Sequence, residues 1–137
     1  MRKAGLLAIL LLTGCFNNHP AVRPLRPLEI ATAPYEPHAT TTLTGSPMYE
    51  GGCLLFRDEP SGSLLMLVLP AGSSFNGNSL LFHLPGKADQ WLAISQELLL
   101  YGRAMPWQAL GAPVYEPIQR QCGAYAPFFV TNVRPAD

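Results

Sequence analysis

The sequence predicts an all-β domain, a small barrel of five or six short strands that is clamped by one disulfide and preceded by a proline-rich segment. After Thr40, short apolar or alternating runs are separated by turn residues such as Gly51-Gly52 and Asn76-Gly77-Asn78, a texture typical of all-β units. The run from Leu64 to Leu69 does not alternate, so we expect it to be covered on both faces or to lie where the barrel closes.

Six segments are the candidate strands. They are residues 40–44, 53–57, 64–69, 79–84, 97–102 and 127–133. Five or six short strands in one small domain favour a closed or nearly closed barrel, because closure removes the exposed edges that invite aggregation.

Residues 87–101 fit two structures. Trp91, Leu92, Leu98 and Leu99 could share one face of a helix that begins behind Asp89. Residues 91–94 and 97–101 also work as two strands around a turn. The pattern slightly favours strands.

The amino terminus has the parts of an export signal. Arg2 and Lys3 precede an apolar run from Ala4 to Leu12, which is shorter than the roughly 20 residues needed to span a bilayer. An ordinary secretory signal is one interpretation. The run ends in Leu12-Thr13-Gly14-Cys15, which resembles the lipobox of bacterial lipoproteins at every position.

That resemblance implies a membrane anchor. Cys15 would receive a diacylglycerol on sulfur, cleavage would precede it, and the new amino terminus would be acylated, for example with palmitate. Two or three acyl chains hold a protein firmly, whereas one holds it only marginally. In a cell with two membranes, Phe16 in place of an aspartate after the cysteine implies sorting to the periplasmic face of the outer membrane.

We therefore divide the chain into three parts: residues 1–14 as signal peptide, 15–39 as lipidated cysteine and tether, and 40–137 as the β-barrel domain. The tether contains Pro20, Pro24, Pro27, Pro34 and Pro37 and is expected to be disordered and extended, because it has few residues to bury. A docking peptide for an aromatic groove is the alternative.

Cys53 and Cys122 remain as an even pair once Cys15 is assigned to lipid. Disulfides form and persist outside the cytoplasm, so we expect these two to be joined. A redox or metal pair is the alternative, but the chain has no Cys-x-x-Cys spacing.

Charge and composition exclude several classes of function. The full chain has nine basic and nine acidic residues, and removal of Arg2 and Lys3 leaves seven basic residues, a balance of about −2. No basic cluster exists to neutralise phosphates, so nucleic acid is not an expected partner. His19, His38 and His83 are isolated, so neither a metal nor another cofactor is expected.

The segment from Tyr49 to Phe56, followed later by Glu97 to Gly102, resembles small bacterial OB-like barrels that pair an early Gly-Cys strand with a later cysteine. The resemblance spans residues 40–133 and implies the barrel fold. It carries over no catalytic residue.

The predicted contact surface consists of Arg103, Met105 and Trp107, with Phe75 and Asn76 from a polar loop. Arginine and aromatic residues dominate the binding energy of protein interfaces. Side chains of this kind also plug the open ends of small barrels, and the sequence leaves the two interpretations equal.

The leading hypothesis is a non-enzymatic, membrane-anchored envelope lipoprotein that binds a protein or another envelope component. The alternative is a binder of small molecules or glycans at the barrel mouth. An envelope hydrolase is the weakest hypothesis, because it requires His83 to lie beside a serine and a carboxylate.

Overall fold

The computed structural model describes residues 28–110 and 116–136. The predicted signal peptide, Cys15 and the first part of the predicted tether lie outside these residues. Within them the strands are β1 (Ala31–Ala33), β2 (Thr41–Glu50), β3 (Cys53–Asp58), β4 (Leu64–Pro70), β5 (Ser74–Phe75), β6 (Ser79–Phe82), β7 (Gln90–Ala93), β8 (Leu98–Ala104) and β9 (Ala126–Pro135). A 3₁₀ helix (Trp107–Leu110) and one α-helix, α1 (Glu116–Cys122), complete them. The all-β class is confirmed.

Five strands pair in a ring. Strands β2, β3 and β4 form an antiparallel meander, β4 pairs in parallel with β9, and β8 pairs in antiparallel fashion with both β9 and β2. The sequence predicts a closed or nearly closed barrel, and the barrel is not closed. Strands β3 and β4 pair only over three residues, Leu55–Arg57 with Leu64–Met66, and beyond them β1 pairs with Val68–Pro70 instead. The result is a partly open barrel.

Strand β1 lies within the predicted tether, before the predicted domain boundary at residue 40. Ala31 and Ala33 are buried, and they pack with Met66, Val68 and Phe129 outside the barrel. Alanine is small enough to fit closely beside β4. The ordered domain therefore includes this part of the proline-rich segment.

Strand β4 is buried on both faces, as its non-alternating sequence predicts. Leu67 and Leu69 belong to the cluster inside the barrel, whereas Met66 and Val68 belong to the cluster outside it. Because β4 also pairs with β9, both explanations offered for this run apply.

Strands β5, β6 and β7 form a separate antiparallel sheet, the small sheet. Its inward residues join the interior cluster of the barrel; they are Phe75, Leu80, Phe82 and Leu92. Residues 87–101 contain β7 and the start of β8, so the strand alternative is confirmed. The small sheet covers one side of the barrel core.

The predicted disulfide between Cys53 and Cys122 is present, with the two Cα atoms 5.8 Å apart. It joins β3 to the last residue of α1. Ile118 and Cys122 of this helix pack in the outer cluster. The disulfide thus holds α1 over the outer face of the barrel, beside the place where β3 and β4 separate.

Replacing Cys53 and Cys122 with alanine in the mature chain should lower the free energy of unfolding by about 4 kcal/mol, because their disulfide closes a loop of about 70 residues. Urea unfolding followed by circular dichroism measures the change. Reduction of the unmodified protein should give a similar loss. A change below about 1 kcal/mol in both experiments would show that α1 is held by packing alone.

Candidate functional site

Phe75 and Asn76 of the predicted contact surface serve the fold. Phe75 is only 7% exposed, and its ring contacts that of Tyr49 with 4.8 Å between centroids. The Asn76 side-chain oxygen accepts the N–H groups of Asn78 and Ser79 at 2.9 and 2.8 Å. This loop is therefore closed by its own hydrogen bonds, and Phe75 is part of the core.

Met105 and Trp107 are half-buried and pack against the outer cluster. The Trp107 indole N–H donates to the Tyr125 carbonyl at 3.1 Å. These two side chains do not form the exposed apolar patch that a binding surface at this place requires. They pack against the outside of the barrel rather than plug one of its ends.

Arg103 fastens the segment between β1 and β2, Pro34 to Ala39, which we call the strap. Its guanidinium lies 4.7 Å from the centre of the Phe129 ring and donates to the carbonyls of Glu36 and His38 at 3.3 and 2.8 Å. It also contacts the Glu36 carboxylate at 3.1 Å. Arg103 is thereby committed to the strap.

Two grooves flank the strap. The first, which we call the strap groove, has a volume of about 420 Å³ and is lined by Tyr35, Leu84, Lys87, Tyr101, Asn132 and Arg134, among others. The second, of about 470 Å³, is lined by Glu36, Arg103 and Met105, among others. The structure therefore brings Arg103 and Met105 together at one groove, where the arginine is neutralised by Glu36.

The outer face of the small sheet carries the most exposed aromatic residue of the described chain. Trp91 is 61% exposed and lies opposite Leu81 in the β6–β7 pairing, next to the pair of Ser79 and Ala93. Strand β7 is an edge of the small sheet, because no other described strand pairs with its free side. Sequence analysis missed Trp91 because its segment fitted two structures. In a strand, alternation alone would place Trp91 on the face away from the buried Leu92.

His83 fulfils half of the arrangement that the hydrolase hypothesis requires. Its Nδ1 lies 2.7 Å from Asp89 Oδ1. Ser73 is also adjacent, but its hydroxyl oxygen accepts the backbone N–H of His83 at 3.0 Å. Among the described residues no hydrogen bond joins Ser73 to the imidazole ring. The Ser73 hydroxyl therefore contacts the backbone of His83 rather than its ring.

Asp58 is a buried charged residue, with only 7% of its surface exposed. Its carboxylate accepts N–H groups from Thr44 and Ser61 at 3.1 and 3.3 Å and the Ser61 hydroxyl at 2.6 Å. These hydrogen bonds, that of the Ser61 side chain above all, lower the pKa of Asp58 below its ordinary value. Asp58 thus ties the β3–β4 turn to β2.

Glu59 and Glu97 form an exposed carboxyl pair. A hydrogen bond to Glu97 and repulsion from its charge raise the pKa of Glu59. No group of three or more metal-ligating side chains is found in residues 28–110 and 116–136. The pair therefore lacks a third ligand from His, Cys, Asp or Glu.

The barrel interior is filled by side chains. The void among its core residues measures about 10 Å³, which is at the lower limit for one water molecule. A small ligand therefore has no space inside the barrel.

Comparison with known proteins gives no relative. No family model, curated protein or solved structure matches this chain. In the part of the chain that the structure describes, no helix is long and apolar enough to cross a membrane.

Replacing Asp58 with asparagine should lower the free energy of unfolding by about 1–3 kcal/mol at pH 7, because charge-assisted hydrogen bonds are lost. The folded-state pKa is lowered, so the carboxylate stabilises the fold above the ordinary pKa, and this contribution is lost as pH falls through the folded-state pKa. Urea unfolding at pH 7 and pH 3 should show the difference between the two proteins narrowing at pH 3. An equal difference at both pH values would contradict this role.

The matched control is Glu59→Gln, which removes the neighbouring charge. Because repulsion from Glu97 raises the pKa of Glu59, this variant should be no less stable than the unmodified protein at pH 7.

Proposed function

We propose that this protein is a lipid-anchored, non-enzymatic binding module of the cell envelope. Its acylated Cys15 would hold the β domain at the periplasmic face of the outer membrane, and the domain would bind an envelope protein there. Support for the anchor is the lipobox, Leu12 to Cys15. Support for binding comes from the surface of the domain.

The observation that carries the binding proposal is the exposure of Trp91. The other large apolar side chains of the described residues are at least partly buried, with Leu28 the next most exposed at 40%. Tryptophan is enriched among the residues that dominate interface energies. Trp91 lies beside Leu81 and the exposed Ala93 on one face of the sheet. The His83–Asp89 pair lies just beyond the end of β6 and before the start of β7.

The proposed anchor would strengthen binding by the small-sheet face. Residues 15–27 connect Cys15 to the first described residue and would span up to about 40 Å if fully extended. Confinement near the membrane raises the effective concentration of the domain around an envelope partner, so a modest interface suffices.

A second candidate function is the binding of a small molecule or glycan. The strap groove favours it, because a volume of about 420 Å³ lies within the range of ligand sites.

Crosslinking in intact cells followed by affinity purification and mass spectrometry tests the proposal. The unmodified lipoprotein should capture a defined envelope protein that Cys15→Ala, which cannot be lipidated, does not capture. Trp91→Ala should stay lipidated and folded but lose at least tenfold of the captured partner, because a hot-spot residue contributes 2 kcal/mol or more.

Leu28→Ala is the matched control, since it shortens the next most exposed apolar side chain and should leave capture unchanged. Equal capture by Trp91→Ala and the unmodified protein would exclude the small-sheet face. Equal capture by Cys15→Ala would show that the anchor is not required. Capture by none of the proteins would overturn the binding function.

A further inference from the structure

The strap groove is built by four separate parts of the chain. Tyr35 comes from the strap, Tyr101 and Arg134 come from β8 and β9, and Lys87 comes from the loop between β6 and β7. The backbone N–H of Lys87 donates to the Leu84 carbonyl at 3.1 Å, which forms the turn that holds Lys87 at the groove. Side chains that are remote in sequence thus meet at one surface depression.

The groove has an unbalanced positive charge. Lys87 and Arg134 line it, and among the residues that the structure describes its lining includes no aspartate or glutamate. Elsewhere in the described chain, Arg103 and Arg120 each contact a glutamate. Two cations that face one concave surface without a carboxylate attract an anion.

Arg134 is held in place for such a ligand. Its Nη2 donates to the Tyr101 hydroxyl at 2.8 Å, and its guanidinium carbon lies 5.6 Å from the centre of the Tyr101 ring. A guanidinium has five N–H donors, so this hydrogen bond leaves others for a carboxylate or phosphate. Orientation before binding lowers the entropic cost of binding.

The rest of the lining suits a polar ring. Tyr35 and Tyr101 supply aromatic surface, and Asn132 supplies amide donors and an acceptor. Ligand sites combine apolar walls with a few polar groups that fix orientation. We propose that the strap groove binds a sugar ring that carries a carboxylate or a phosphate, with Lys87 and Arg134 on the anionic group.

This site is distinct from the small-sheet face proposed for a protein partner, so the two proposals can fail separately. Lys87 and Arg134 line the strap groove, whereas Trp91 does not. A failure of saccharide binding would leave partner capture through Trp91 unaffected.

Isothermal titration calorimetry at low salt tests the proposal on the full mature chain, residues 15–137, made as Cys15→Ala so that it is free of lipid. The probes are glucose 6-phosphate, glucuronic acid, glucose and inorganic phosphate. We expect the phosphorylated or the acidic sugar to bind at least tenfold more tightly than glucose and than inorganic phosphate, and to bind more weakly as salt rises.

Lys87→Gln and Arg134→Gln should each weaken that binding by about tenfold or more, since hydrogen bonds to charged groups are the strong ones. Lys87 is exposed and contributes no packing to the core, so Lys87→Gln tests the site even if Arg134→Gln is unstable. Arg57→Gln is the matched control, because it removes an exposed arginine of β3 that does not line the groove.

Three results would overturn the proposal. The first is that neither anionic sugar binds. The second is that inorganic phosphate binds as tightly as the sugars, which would mean that the ring is not recognised. The third is that Lys87→Gln binds the anionic sugar as tightly as Arg57→Gln does. The contrast between glucose 6-phosphate and glucuronic acid shows whether the recognised group is a phosphate or a carboxylate.

Discussion

The need to cover both faces of β4 determines most of this structure. Leu67 and Leu69 fill the barrel, so the opposite side chains, Met66 and Val68, point to the outside and must be buried there. Each such side chain contributes about 1.5–3 kcal/mol when it is fully buried. A barrel wall with solvent on its outer side cannot provide that burial, so the fold requires an outer layer at β4.

Segments before and after the barrel strands form this layer. Strand β1 pairs along the edge that β3 leaves free, and α1 packs outside with the Cys53–Cys122 disulfide holding it. One consequence is that the chain must return from β1 to β2 across the surface. It does so as the strap, which Arg103 fastens, and the strap forms a wall of both grooves. The two grooves are therefore by-products of the way in which β4 is covered.

The sequence predicts the parts of this fold whose signal is local. The run from Leu64 to Leu69 shows its double burial directly, and the cysteine count predicts the disulfide. Strand β1 gives no such signal, because Ala31-Thr32-Ala33 among prolines has little apolar surface and pairs only because β4 offers an edge. The strap groove is equally hidden, since Tyr35, Lys87 and Arg134 meet through the tertiary fold. Arg103, Met105 and Trp107 were selected by residue type, and residue type does not distinguish a surface hot spot from a side chain that packs inside.

Site-specific photo-crosslinking in intact cells tests most directly the claim that the small-sheet face is the surface that binds. A photo-reactive residue in place of Ala93 leaves Trp91 intact and lies beside it on the same exposed face; a second protein carries the same group in place of Arg57 on β3. We expect a discrete crosslinked envelope protein from position 93 and none from position 57. Equal crosslinking from both positions, or a crosslink from position 57 alone, would contradict it.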